Sequence, residues 1–133
     1  MNKISVYLYL YLMASAALAT PIVLDNKTNY PAKNNEGKIA IQWAASAEAI
    51  QERNRSIING SKLDSRSLKT LSQKGQIELN LPNQAQYFRV VVWSTDQKEP
   101  DLLTNWVNIV PNKTYILNQD QLASAVLVSG AGC

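Results

Sequence analysis

The chain of 133 residues contains no histidine. That removes the side chain that most often serves as general base near neutral pH, and with it Ser-His and Cys-His nucleophile pairs. Cysteine occurs once, as Cys133, so no internal disulfide can form and a zinc site has almost no ligands to draw on. The five glycines are scattered singly and build no loop that would cradle a phosphate. Ser72 and Lys74 are close in sequence, but "LSQKGQ" reads as solvated, and a serine–lysine mechanism needs a buried lysine. The ten acids fall in polar or strand-exposed contexts, and nothing marks two of them as a pair across a cleft. A protein that is not an enzyme is therefore expected, without a cofactor, and a small carboxylate-dependent hydrolase is the least favoured alternative.

Charge of one sign is also in short supply. Thirteen Lys and Arg against ten Asp and Glu give +3, with no concentrated basic face of the kind that nucleic acid requires. Long apolar runs are absent except at the start, in "MNKISVYLYLYLMASAALAT". Lys3 supplies a positive n-region, Ile4 to Leu18 an apolar stretch, and Ala17-Leu18-Ala19 a small-x-small cleavage site. The stretch is shorter than the ~20 residues of a membrane-spanning helix. Residues 1–19 are thus expected to be a cleavable signal peptide, with an uncleaved anchor as the alternative. Residues 20–133 are expected to form one exported domain, periplasmic or extracellular, with no transmembrane segment in the mature chain.

What is present reads mainly as strand. "PIVLDN" is a short first strand, and "KIAIQWA" alternates cleanly, with Ile39, Ile41 and Trp43 on one face. "GQIELNLP" alternates in the same way, with Ile77, Leu79 and Leu81 on one face. A short strand near Ser67 to Leu71, then "WVNIV", "YILNQDQ" and "LASAVLVS", complete the extended segments. In "SAEAIQERNRSIING", Ser46 is placed to cap a helix, Glu48 sits in its first turn and Gly60 follows its end. Ala47, Ile50 and Ile57 share a face that Asn54 interrupts, and an extended crossover is the competing reading. Seven or eight short strands with turns about every ten residues predict an antiparallel β-sandwich with one short helical insertion. An immunoglobulin-like architecture is one form it can take, without the cysteine pair of antibody domains.

The stretch "QYFRVVVWST" hardly alternates. Phe88, Val90 and Val92 suit the space between two sheets, which leaves Tyr87, Arg89, Val91 and Trp93 on the outer face. Tyr, Trp and Arg are the residues enriched at binding hot spots. Tyr87, Arg89 and Trp93, with Trp106 in support, are accordingly the candidate contact residues for another protein. The plainer reading is that the short helix or a loop covers this face as a second small core, since large bare apolar patches are uncommon on monomers.

Two further features point to ligands. Asp96, Glu99 and Asp101 in "DQKEPD" offer oxygens to calcium, but the spacing fits no known loop and Lys98 intervenes. The run Arg53, Arg55, Lys62, Arg66, Lys69 and Lys74, offset only by Asp64, would suit a polysaccharide or an anionic surface, against the plainer reading of a solvated loop. Sequons occur at Asn26, Asn54, Asn59 and Asn112.

The tail 129–133, "SGAGC", has no bulky side chain to anchor it, so it is expected to be flexible and its thiol accessible. An odd cysteine in an exported protein either pairs between molecules or stays free. Non-reducing electrophoresis of the exported protein separates the two: a tethering Cys133 gives a dimer or mixed-disulfide band that reductant collapses, and an incidental thiol gives monomer alone.

Overall fold

The computed structural model describes residues 21–33, 37–58, 63, 65–96 and 98–125. The expected signal peptide and the tail with Cys133 lie outside them. The described chain is mainly β, two packed sheets with a short helix. It opens with strand β1 (Pro21–Lys27) and then β2 (Lys38–Ala44), which coincides with "KIAIQWA". Helix α1 (Ala47–Ile58) follows. The Ser46 hydroxyl accepts from the Ala49 N–H at 3.1 Å, the capping bond its position predicts. Strands β3 (Leu68–Thr70), β4 (Gly75–Asn80) and β5 (Tyr87–Trp93) come next. The chain continues through β6 (Leu102–Leu103), β7 (Val107–Asn108), β8 (Thr114–Asn118) and β9 (Ala123–Ser124).

One sheet has the order β4-β1-β8, and the other runs β3-β2-β5-β6-β9 with β7 also on β5. All pairings are antiparallel except β1 with β8, which is parallel. A parallel neighbour needs a long crossover, and here nearly the whole described chain lies between the two strands. Nine strands form among the described residues, against seven or eight expected. The addition is β6, inside a stretch that reads as polar loop, and its Leu103 is fully buried.

Register explains the core. β2 and β5 pair Ile39 with Val92, Ile41 with Val90 and Trp43 with Phe88, so all six side chains project from one face. They meet Ile22, Leu24, Leu79 and Leu117 from the opposite sheet. Each such aliphatic or aromatic side chain contributes about 1.5–3 kcal/mol on burial. Phe88 lies between Trp43, at 6.3 Å between ring centroids, and Tyr115, at 5.0 Å edge-on. Gly37 has φ +125°, and a Cβ there would come within 2.9 Å of the Tyr30 ring, so the turn into β2 requires glycine.

The end of β1 is held by a polar knot. Buried Asn26 donates from Nδ2 to the carbonyls of Tyr30 (2.9 Å) and Gln73 (3.4 Å). Its Oδ1 accepts from the Thr28 N–H (3.1 Å) and the Thr28 hydroxyl (2.7 Å). Removing this amide orphans several buried groups at once, at about 1–3 kcal/mol each where no water replaces it. Asn26→Ala should therefore lower the unfolding free energy by about 2–4 kcal/mol in urea titrations, while the exposed Gln76→Ala on β4 stays within about 0.5 kcal/mol.

Candidate functional site

The outer face of β5 is where the sequence places its contact residues. The register sets Lys38 opposite Trp93, Ala40 opposite Val91, Gln42 opposite Arg89 and Ala44 opposite Tyr87 on that face. Helix α1 lies over it. Ile57 packs with Ala40, Val91, Leu103 and Ala125 in a second small core, which Trp93 and Leu68 border. The helix covers this face around Val91 and Arg89.

Arg89 consequently is not a surface residue: its relative exposure is 0%. Its Nε donates to Gln42 Oε1 at 2.7 Å and its Nη1 to Asn54 Oδ1 at 2.8 Å. Its guanidinium stacks over the Trp106 ring, 4.5 Å from the centroid, and Trp106 Nε1 donates to the same Asn54 oxygen at 3.3 Å. Nη2 of Arg89 and Nε2 of Gln42 have no hydrogen-bond partner among the described residues. Burial first, and the like charge of Arg53 second, pull the Arg89 pKa down from its ordinary value to about 10, which leaves it charged at neutral pH. Trp106 does join Arg89, as a lid rather than as part of a bare patch. Tyr87 and Trp93 are half-buried, and the Trp93 Nε1–H donates to the Lys98 carbonyl at 3.2 Å. Tyr115 lies against Phe88 on the core side.

The remaining sequence candidates are dispersed or engaged. Asp101 accepts from the Ser94 N–H and from the Ser94 hydroxyl, while Asp96 and Glu99 are exposed. Among the described residues no three acids, cysteines or histidines gather where a metal ion could sit. Of the sequons, Asn26 and Asn54 are consumed by the hydrogen bonds above, Asn112 is exposed in the turn before β8, and Asn59 lies outside the described residues.

The surface feature that sequence reading missed is the free edge of β8. Val23 donates its N–H to the Lys113 carbonyl at 3.0 Å, which fixes the parallel ladder. The odd-numbered residues from Lys113 to Leu117 therefore turn their backbone groups toward β1, and Thr114 and Ile116 turn theirs outward. No described strand pairs with that edge. Ile116 is 54% exposed on its outer face, and Val110, 50% exposed, stands at the preceding turn. Beside the edge, between the sheets, opens a cavity of about 230 Å³ lined by Leu24, Phe88, Val90, Val107 and Tyr115, with Lys113 the one charged residue among the described residues that line it. Lys113 Nζ sits 4.9 Å from the centroid of the Tyr115 ring. An unpaired edge is not legible in a single sequence, but an exposed isoleucine midway along "TYILN" is the available signal.

Comparison with protein-family models, with curated proteins and with solved structures finds no match to this chain.

The environment of Arg89 dictates what substitutions do. An acid there would place a negative charge against two acceptor oxygens, whereas methionine fills the space and strands only the acceptors. Arg89→Glu should lose about 3–5 kcal/mol, and Arg89→Met about 1–3 kcal/mol, in chemical denaturation followed by tryptophan fluorescence.

Proposed function

We propose that this protein is an exported, non-enzymatic binding module that recognises another protein by strand addition along β8. The observation that carries the reading is the outward-facing, unpaired backbone of Thr114 and Ile116 beside an apolar slot. In strand addition the main-chain ladder supplies affinity, and pockets for alternate side chains supply specificity. The partner segment is an extended strand that sets one apolar side chain into the slot and an acidic one near Lys113. Export rests on the leader-like residues 1–19, and periplasmic and extracellular destinations both agree with it. The exposed Ile116 supports a used edge, because edges meant to stay bare are commonly blunted with charge or proline.

Two substitutions at Ile116 test the edge. Ile116→Pro removes an N–H that faces away from β1, so the internal ladder is spared. Ile116→Lys places a charge on the edge without altering the backbone. Partner captured from the native host should protect the Thr114 and Ile116 amides in hydrogen exchange, and both variants should weaken its binding about tenfold or more while circular dichroism stays unchanged. Undiminished binding by both folded variants would remove β8 as the contact.

A further inference from the structure

The basic run of the sequence does not form one face, but part of it converges on a trough at the opposite edge of the sandwich. A depression of about 310 Å³ is lined by Trp43, Arg53, Arg66, Pro82 and Asn83 among others, with no acidic residue among the described residues that line it. A second, of about 350 Å³, shares Trp43, Arg66 and Pro82 and adds Lys69 and Glu78. The floor is apolar, built from Trp43, Ala44, Ala85 and Pro82. Arg53 is fixed in place: its Nε donates to the Trp43 carbonyl at 2.8 Å and its Nη1 to the Ala49 carbonyl at 3.4 Å. Nη2 of Arg53 has no hydrogen-bond partner among the described residues, and neither Arg53 nor the neighbouring Arg89 is in an ion pair there. A preset guanidinium that no carboxylate of the described residues neutralises, above an apolar floor, is suited to receive an oxyanion carried on a compact ligand.

We infer that this trough binds an acidic oligosaccharide, with a carboxylate- or sulfate-bearing sugar between Arg53 and Arg66 and the following acidic unit near Lys69. The volume of the first depression matches the small end of ligand pockets, and the two depressions adjoin at Trp43, Arg66 and Pro82, so successive sugar units can reach both. Asn83 supplies an amide for hydroxyl groups. A flat lipid surface fits poorly, because these groups line recesses. A single-stranded nucleic acid fits poorly as well, because Trp43 is almost wholly buried and no base can stack on its face.

The test is calorimetric titration of the full mature chain with a uronic-acid hexasaccharide. A neutral hexasaccharide of equal length, anionic phospholipid vesicles and a single-stranded oligonucleotide serve as comparisons. The acidic sugar should bind, the neutral one should not, and affinity should fall as salt rises. Lys69→Glu, on the exposed face of β3, should weaken binding about tenfold with the thermal melt unchanged, and Arg66→Glu should weaken it about tenfold in protein that circular dichroism shows to be folded. Should either variant prove unstable, the other carries the comparison alone. Absence of heat with the acidic sugar, equal affinity of a folded variant, or tighter binding of vesicles or oligonucleotide overturns the assignment.

Discussion

A charged guanidinium enclosed between a sheet and a helix constrains everything around it. Arg89 stands opposite Gln42 across the β2–β5 pair, receives Asn54 from α1 and lies under Trp106 from the segment before β7. One side chain thus ties together four stretches of chain that are remote in sequence. A buried cation without a carboxylate partner is a poor source of stability, since its desolvation is only partly offset by hydrogen bonds. Its use is in registration. A one-residue slip of β2 against β5 would turn Gln42 into the aliphatic core and leave Arg89 facing apolar neighbours. The helix is fixed by the same logic, because only Asn54 on its inner face presents an acceptor to Nη1.

Most of this architecture was legible because strands whose two faces differ in polarity declare themselves. β2 and β4 coincide with the clean alternations, and the Ser46 cap marks the start of α1. The inner row of β5 was legible for the same reason. Its outer row was not, because Arg89 and Trp93 are equally the signature of a contact surface and of a core with a polar tie. The discriminating residue was Asn54, which interrupts the helix's apolar stripe. A polar side chain on the inner face of a helix, with an arginine available on the strand beneath, signals a buried pair. The two-residue strands β6, β7 and β9 carry too few residues to show any period, and their pairing is imposed by contacts made elsewhere.

The two edges of the smaller sheet differ in kind. β4 presents Gln76, Glu78 and Asn80 outward, a polar row that discourages another chain from pairing. β8 presents Thr114, Ile116 and Asn118, and the Asn118 N–H is already occupied by Gln121 Oε1 at 2.7 Å. The open length of β8 is therefore short, centred on Thr114 and Ile116. A short opening limits what two main chains can contribute, so selectivity for a strand added at this edge would come from the slot beside it, where Leu24, Phe88 and Val90 offer shape and Lys113 a charge.

Geometry also keeps the edge and the trough apart. In the smaller sheet β1 separates β4 from β8, and in the larger one β2 and β5 separate β3 from β6. With strands about 4.8 Å apart, the two edges of the smaller sheet stand on the order of 10 Å from one another and face opposite ways. Lys113 and the Arg53–Arg66 pair therefore lie at different edges of the sandwich. What joins them is the rigid β2–β5 pair, since Trp43 and Phe88 in mutual contact belong to the floor of the trough and the wall of the slot respectively. Close-packed aromatic rings of this sort resist independent movement. The slot and the trough are consequently tied to one packed frame.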